Sequence, residues 1–197
     1  ENIKRKTSSM RKVIAERLSI SKKEVPHFYL SIDCNVDNLM KSREDINKTF
    51  DKKFKLSVND FIIKAMATAL FNVPEANCTW GKDEMTFFGS VDISVAIAVE
   101  DGLFTPVIKN ANYLNLRDIS TQMKDFVVKA NAGKLLPEDY EGGNFSISNL
   151  GMYGIDSFSA IINPPQSGIL AVGSISKKPI VIDNEIKVCN IMTCQLS

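Results

Sequence analysis

Gly142-Gly143-Asn144-Phe145-Ser146-Ile147-Ser148-Asn149-Leu150-Gly151-Met152-Tyr153-Gly154, followed by Ile162-Asn163-Pro164-Pro165-Gln166, is the stretch on which the fold turns. Asn144 to Ser148 alternates apolar and polar side chains, the period of a strand with two unlike faces. Ser146 and Ser148 share one of those faces, and the strand runs into an Asn-x-Gly turn. One hydroxyl and several backbone amides thus meet at the end of an element, where they can face a ligand. Spacing alone is met more simply by a plain strand that ends in a Gly-rich turn.

Toward the C-terminus the chain is β-rich. Strands are expected at Phe158 to Ile162, Ile169 to Ser176, Pro179 to Ile182 and Glu185 to Leu196, with Asp183-Asn184 as a short hairpin turn. Toward the N-terminus helices and strands alternate irregularly. Thr7, Ser8 and Ser9 offer cap oxygens before Met10, Val13, Ile14, Arg17 and Leu18, whose spacing marks an amphipathic helix closed by Pro26. Phe28 to Cys34 reads as a strand and Val36 to Phe50 as a charged surface helix leading into the turn Asp51-Lys52-Lys53, whose lysines are solvated. Ser57 with Asp60 resembles a capping box for a helix stopped by Pro74. Met85 to Phe88 and the apolar run Val91 to Val99 are strands, and Asp101-Gly102 turns into Leu103 to Ile108. Asn115 caps a third long helix, ended by Gly133 and Pro137; its Met123, Phe126, Val127 stripe reads as core. Hairpin links without a repeating βαβ unit predict an α+β layered sheet in one domain spanning residues 1–197.

Lys and Arg number 24 against 23 Asp and Glu, so no field of one sign favours nucleic acid or an anionic membrane. No apolar run reaches the ~18 residues of a membrane span. Cys34, Cys78, Cys189 and Cys194 form no C-x-x-C pair; they read as free, mostly buried thiols in a reducing compartment. One histidine and scattered cysteines cannot supply a metal's three or four ligands, so no metal is expected. Phosphate-cradling G-x-x-x-x-G-K and G-x-G-x-x-G motifs are missing, as is the G-x-S-x-G elbow that would present a serine to His27. His27 reads as a histidine packed at a strand edge, with a substrate-channel contact as the alternative.

The stretch from Gly142 to Gly151, with Ile161-Ile162-Asn163-Pro164-Pro165-Gln166, closely resembles the signature of dihydrolipoamide acyltransferase core domains. So do Met10-Arg11-Lys12-Val13-Ile14-Ala15-Glu16-Arg17-Leu18, Pro26-His27-Phe28-Tyr29, Lys55-Leu56-Ser57-Val58-Asn59-Asp60-Phe61, Val73-Pro74-Glu75-Ala76-Asn77 and Gly102-Leu103-Phe104-Thr105-Pro106-Val107-Ile108. The Pro-His-Phe-Tyr form looks most like the pyruvate-type enzymes. The resemblance implies a chloramphenicol-acetyltransferase-like mixed sheet flanked by helices. It also implies trimers with active sites at subunit interfaces, joined into hollow cores of twenty-four or sixty subunits. The implied reaction passes an acetyl or other acyl group from a dihydrolipoyl arm to coenzyme A. The lipoyl group sits on a separate domain, and the decarboxylase and dihydrolipoamide dehydrogenase components bind through another. A bacterial cytoplasm or a mitochondrial matrix would house such a complex.

On that resemblance Ser148 matches the oxyanion-stabilising serine. Arg11 matches an arginine that braces the aspartate of an H-x-x-x-D-G motif, and otherwise reads as a solvated helix cation. Arg43 and Ser57 fall near the nucleotide portion of coenzyme A; Arg43 alternatively sits on a charged helix face. Ser148, Asn149, Gly173 and Ile175 fall along the pantetheine channel. The H-x-x-x-D-G motif, whose histidine is the general base, would follow the strand ending at Ser197. It does not occur in residues 1–197, so base and following helix are expected outside them. A non-catalytic assembly module of the same fold, or a small-molecule acetyltransferase like the chloramphenicol enzymes, are the competing readings.

Overall fold

A computed structural model describes residues 2–50, 54–99 and 102–197. The Asp51-Lys52-Lys53 turn and Asp101 lie outside the described residues. Helix α1 (Ser9–Glu24) starts where Ser8 Oγ accepts the Arg11 N–H at 3.3 Å and ends ahead of Pro26. Strand β1 (Leu30–Asn35) and helix α2 (Asp37–Thr49) follow. Helix α3 (Val58–Asn72) opens with the expected capping box: Asp60 N–H donates to Ser57 Oγ at 3.2 Å, and Ser57 N–H donates to the Asp60 carboxylate at 2.7 Å.

The middle of the chain contributes short strands: β2 (Cys78–Trp80), β3 (Met85–Phe87), β4 (Ile93–Val95), β5 (Ile97–Val99), β6 (Gly102–Phe104) and β7 (Val107–Ile108). Helix α4 (Leu116–Asn131), capped by Asn115, and the short α5 (Pro137–Tyr140) lead into β8 (Phe145–Asn149), β9 (Ile169–Ile182) and β10 (Glu185–Leu196). Six strands form one mixed sheet in the order β1-β10-β9-β8-β4-β7. β8 lies parallel to both β9 and β4, and the other neighbours are antiparallel. Among the described residues no helix is long and apolar enough to cross a membrane.

The period-2 alternation of β9 sorts its side chains to two different cores, Leu170 and Val172 to one and Ile169 and Ala171 to the other, while β8 supplies the first alone. Phe145 and Ile147 face the main core, built with Ile63 and Leu70 of α3, Ile119 and Phe126 of α4, and Ile93 of β4. Each such fully buried chain contributes roughly 1.5–3 kcal/mol. On the opposite face Ile169 and Ala171 of β9 meet Ala160 and Ile162 in a smaller cluster.

Three expectations are corrected. The run Val91 to Val99 is two strands: β4 stays in the main sheet, while β5 leaves it to pair with β6. Phe158 to Ile162 forms no strand, because side chains take up its backbone groups. Ile162 N–H donates to His27 Nε2 at 3.0 Å, Ser21 Oγ donates to the Ile162 carbonyl at 2.6 Å, and Ser197 Oγ donates to the Ala160 carbonyl at 3.1 Å. Finally, the segments on either side of Pro179 are one continuous strand. Beyond Val172 β9 keeps β10 as its only strand partner among the described residues, and a proline is tolerated on such an edge. The hairpin turn is as expected, with positive φ at both Asp183 and Asn184.

The cysteines are free thiols, three buried and Cys34 half-buried. Burial first, then the neighbouring Cys34 thiol, pushes Cys194 up to about 12, so it stays protonated and inert at neutral pH.

Asp37 ties α2 to β10: it accepts the Asn190 backbone N–H at 3.0 Å and the Asn190 side-chain amide at 2.6 Å. The backbone bond first, then the side-chain bond, holds its carboxyl below the ordinary value of 3.8. The carboxylate therefore adds stability above that value, and this is lost as pH falls through the lowered folded pKa. Asp37→Asn is expected to destabilise at pH 7, with the gap to the unsubstituted protein closing near pH 2. Urea unfolding at the two pH values checks this.

Candidate active site

The site grows from the point where the sheet divides. β4 and β8 pair through Ile93 with Phe145, Ser94 with Ser146 and Val95 with Ile147. The Ala96 N–H gives the last bond across, to the Ile147 carbonyl at 2.9 Å. From Ile97 the chain turns off to join β6, and among the described residues Ser148 keeps a strand partner only on the β9 side, at Ala171. An opening is left beside Ser148.

Two cavities meet there. One, of about 580 Å³, lies between the start of α3, β5, α4 and the end of β8. The second, of about 520 Å³, lies between α1, β6, the segment from Phe158 to Asn163 and the other face of β8. Ala96, Leu103 and Ser148 line both. The walls are mainly apolar with a few convergent polar groups, the composition of small-molecule sites. Ser148 is half-buried, and its hydroxyl has no hydrogen-bond partner among the described residues, which leaves it available to a ligand oxygen.

A buried polar network holds β8 in place. Gln166, from the Asn-Pro-Pro-Gln motif, donates through Nε2 to Ser94 Oγ at 2.8 Å and accepts from Ser146 Oγ, so one side chain locks β4 to β8. Gly143 must lack a side chain beneath it: its φ is +88°, and a Cβ would lie 2.9 Å from Gln166 Nε2. Past Ser148, Asn149 Oδ1 accepts the Gly151 N–H at 2.9 Å and its Nδ2 donates to Asn59 Oδ1 at 3.2 Å, fixing the turn against the start of α3.

Three of the residues expected at the site are gathered at the α4 cavity: Ser148, Asn149 and Ser57 all line it. Ser57 is therefore cap and cavity wall at once. Arg43 lies beside that group without joining it. Its Nε donates to the Leu56 carbonyl at 2.9 Å, and it lines a separate polar cavity of about 590 Å³ with Lys55 and Asn190. The remaining three fall elsewhere. Arg11 is exposed on the first turn of α1 and lines neither cavity at Ser148; Arg17, two turns on, lines the α1 cavity. Gly173 is buried under the Asp156 carbonyl, and Ile175 packs against the main core. Val127, read as core, is partly exposed and lines the α4 cavity.

His27 is committed to structure. Because Nε2 accepts the Ile162 N–H at 3.0 Å, the proton of a neutral ring sits on Nδ1, 2.8 Å from the Val25 carbonyl. Its one lone pair is used, so His27 is not a proton acceptor for chemistry at Ser148.

Sequence reasoning missed Ala96 and Leu103. The one available signal for Ala96 is a small residue amid the bulkier Ile93-Ser94-Val95 and Ile97, at the point where the sheet divides.

The layered architecture is that of chloramphenicol acetyltransferase, which superposes with TM-score 0.57 over 92% of this chain and 83% of that one at 12% identity, a likeness of fold alone. Residues 1–197 match the family described as 2-oxoacid dehydrogenases acyltransferase (catalytic domain), and the chain belongs to it. The dihydrolipoyllysine-residue acetyltransferase component of the pyruvate dehydrogenase complex of Rickettsia bellii (strain RML369-C) is 57% identical over 192 residues, which is 96% of this chain and 46% of that protein. The chain thus spans about half the length of such relatives. Among solved structures, a probable dihydrolipoamide acetyltransferase from Listeria monocytogenes 4b F2365 superposes with TM-score 0.95 at 35% identity, over 99% of this chain and 84% of that one. The cubic core of a pyruvate dehydrogenase multienzyme complex gives TM-score 0.93 at 26% identity, over 100% and 82%.

Proposed function

We propose that this domain transfers an acetyl group from an S-acetyl-dihydrolipoyl arm to coenzyme A within a pyruvate dehydrogenase complex. The observation that carries the proposal is Ser148: one free hydroxyl at the junction of two cavities, so that two elongated thiol carriers can meet there from opposite sides. Coenzyme A takes the α4 cavity, with its pantetheine arm passing Ser57 and Asn149. The acetyl-dihydrolipoyl arm takes the α1 cavity.

A thiol with a pKa of about 8.5 is only slightly ionised at neutral pH, so a general base removes the coenzyme A proton. In this reading that base is a histidine of an H-x-x-x-D-G segment outside residues 1–197, and Arg11 braces the aspartate of that motif. The thiolate attacks the acetyl carbonyl carbon, and Ser148 donates its hydroxyl to the oxyanion that forms. The carbon–sulfur bond to dihydrolipoyl then breaks, and the departing sulfur takes up the proton. Arg43, which bonds the Leu56 carbonyl next to Ser57, takes the nucleotide portion in this reading.

The resemblance extends the proposal to the assembly. Trimers bring base and Ser148 together across subunit interfaces and join into a core of twenty-four or sixty subunits, in a bacterial cytoplasm or mitochondrial matrix. Lipoyl domains and the decarboxylase and dihydrolipoamide dehydrogenase components belong to other parts of that complex. The test is acetyl transfer between acetyl-coenzyme A and dihydrolipoamide by the full-length parent protein. Saturable turnover with both substrates is expected; its absence in an assembled, folded parent would favour a non-catalytic module.

A further inference from the structure

The α4 cavity has a mostly apolar wall with two polar side chains that the sequence motifs leave out. α4 turns Ser120, Met123, Lys124, Val127 and Val128 toward it, a stripe at i, i+3, i+4, i+7 and i+8. Ser120 is 1% exposed, and its Oγ has no hydrogen-bond partner among the described residues. Proteins leave few buried hydroxyls unpaired, and this one belongs to a residue that lines the cavity.

One turn along the helix, Lys124 is held in position from the protein side. Its Nζ donates to the Lys55 carbonyl at 2.9 Å and lies 4.1 Å from the centre of the Phe54 ring. Those contacts station the ammonium beside the chain that leads into Ser57, while leaving donors unused. Along α4 the wall therefore offers an unpaired hydroxyl, then a cation.

We propose that Ser120 and Lys124 are ligand contacts, with Ser120 Oγ hydrogen-bonding an amide of the pantetheine arm and Lys124 pairing with the diphosphate beyond it. This rests on the coenzyme A reading above and extends it to α4. A pantetheine arm is apolar except at its thiol, two amides and one hydroxyl, which suits an apolar wall with isolated polar atoms. Its first charged group is the diphosphate, which suits a cation one helical turn from the amide contact.

The test uses the assembled parent protein with coenzyme A and with pantetheine, which lacks the diphosphate and nucleotide. Lys124→Gln is expected to raise KM for coenzyme A about tenfold and leave KM for pantetheine unchanged, with Lys124→Arg restoring most of the loss. Ser120→Ala is expected to raise KM for both thiols by about three- to tenfold, with kcat little changed. Its melting temperature without ligand should equal or exceed that of the unsubstituted protein, because an unpaired buried hydroxyl has been removed.

A lower melting temperature with unchanged KM would make Ser120 a packing residue and overturn its role. Unchanged KM for coenzyme A, or equal losses with both thiols, would do the same for Lys124. Failure of the unsubstituted parent to saturate with coenzyme A would sink the coenzyme A reading itself, and this inference with it.

Discussion

Ser148→Ala in the full-length parent is expected to lower kcat for acetyl transfer by about 10²–10³, while KM for coenzyme A changes far less. The asymmetry follows from when the hydroxyl is used. A neutral thioester carbonyl needs little from a hydrogen-bond donor, whereas the oxyanion of the tetrahedral state needs a great deal, so the loss of about 3–4 kcal/mol falls on the barrier rather than on binding. Stability should be nearly unaffected, because the Ser148 hydroxyl has no partner among the described residues that its removal would strand. Steady-state kinetics with a melting curve for the same preparation decide the matter: equal turnover would take Ser148 out of the oxyanion role.

Gly173→Ala is expected to be the most damaging single-methyl change in the domain, for a reason unrelated to chemistry. A Cβ at this position would overlap the Asp156 carbonyl oxygen outright and sit 3.2 Å from the Ile155 carbonyl oxygen. The 150–156 segment is tied down there: Ser174 N–H donates to the Ile155 carbonyl at 2.8 Å, and Ser174 Oγ donates to the Asp156 carboxylate at 2.9 Å. Because the obstructing atom is backbone, relief requires moving β9 or that segment, at a cost of about 3 kcal/mol or more. Urea denaturation should show a lower midpoint with an unchanged slope. A midpoint within error of the unsubstituted protein would mean that the segment lifts freely from β9.

Three long helices, α1, α3 and α4, were legible because each begins with a local chemical signal. Ser8, Ser57 and Asn115 all accept the expected backbone N–H, and the helices behind Ser57 and Asn115 turn Ile62, Ile63 and Leu70, and Ile119, Met123 and Phe126, into the core. The strands were less so, since what ends a strand is often a partner distant in sequence. Nothing local in Val91 to Val99 says that its second half will pair with β6, and nothing in Phe158 to Ile162 says that Ser21, His27 and Ser197 will take its backbone bonds.

The site shows the same division. Ser148, Asn149 and Ser57 stand in contiguous motifs and come together at one cavity. Gly173 looked like a channel residue, yet its smallness serves the close approach of Asp156. Val127 looked like core because a helical stripe has the same period whether it meets side chains or empty space.

The division of the sheet at Ala96 has a kinetic meaning. Among the described residues the two chambers share only Ala96, Leu103 and Ser148, so under the proposed function each is filled while the other is occupied, and neither carrier has to leave before the next arrives. In the proposed reaction, donor and acceptor sulfurs then face one carbonyl carbon at the same moment. Under the proposed reaction the acyl group passes directly from one to the other in a ternary complex, without being parked on the protein, and Ser148 steadies the passage without being acylated.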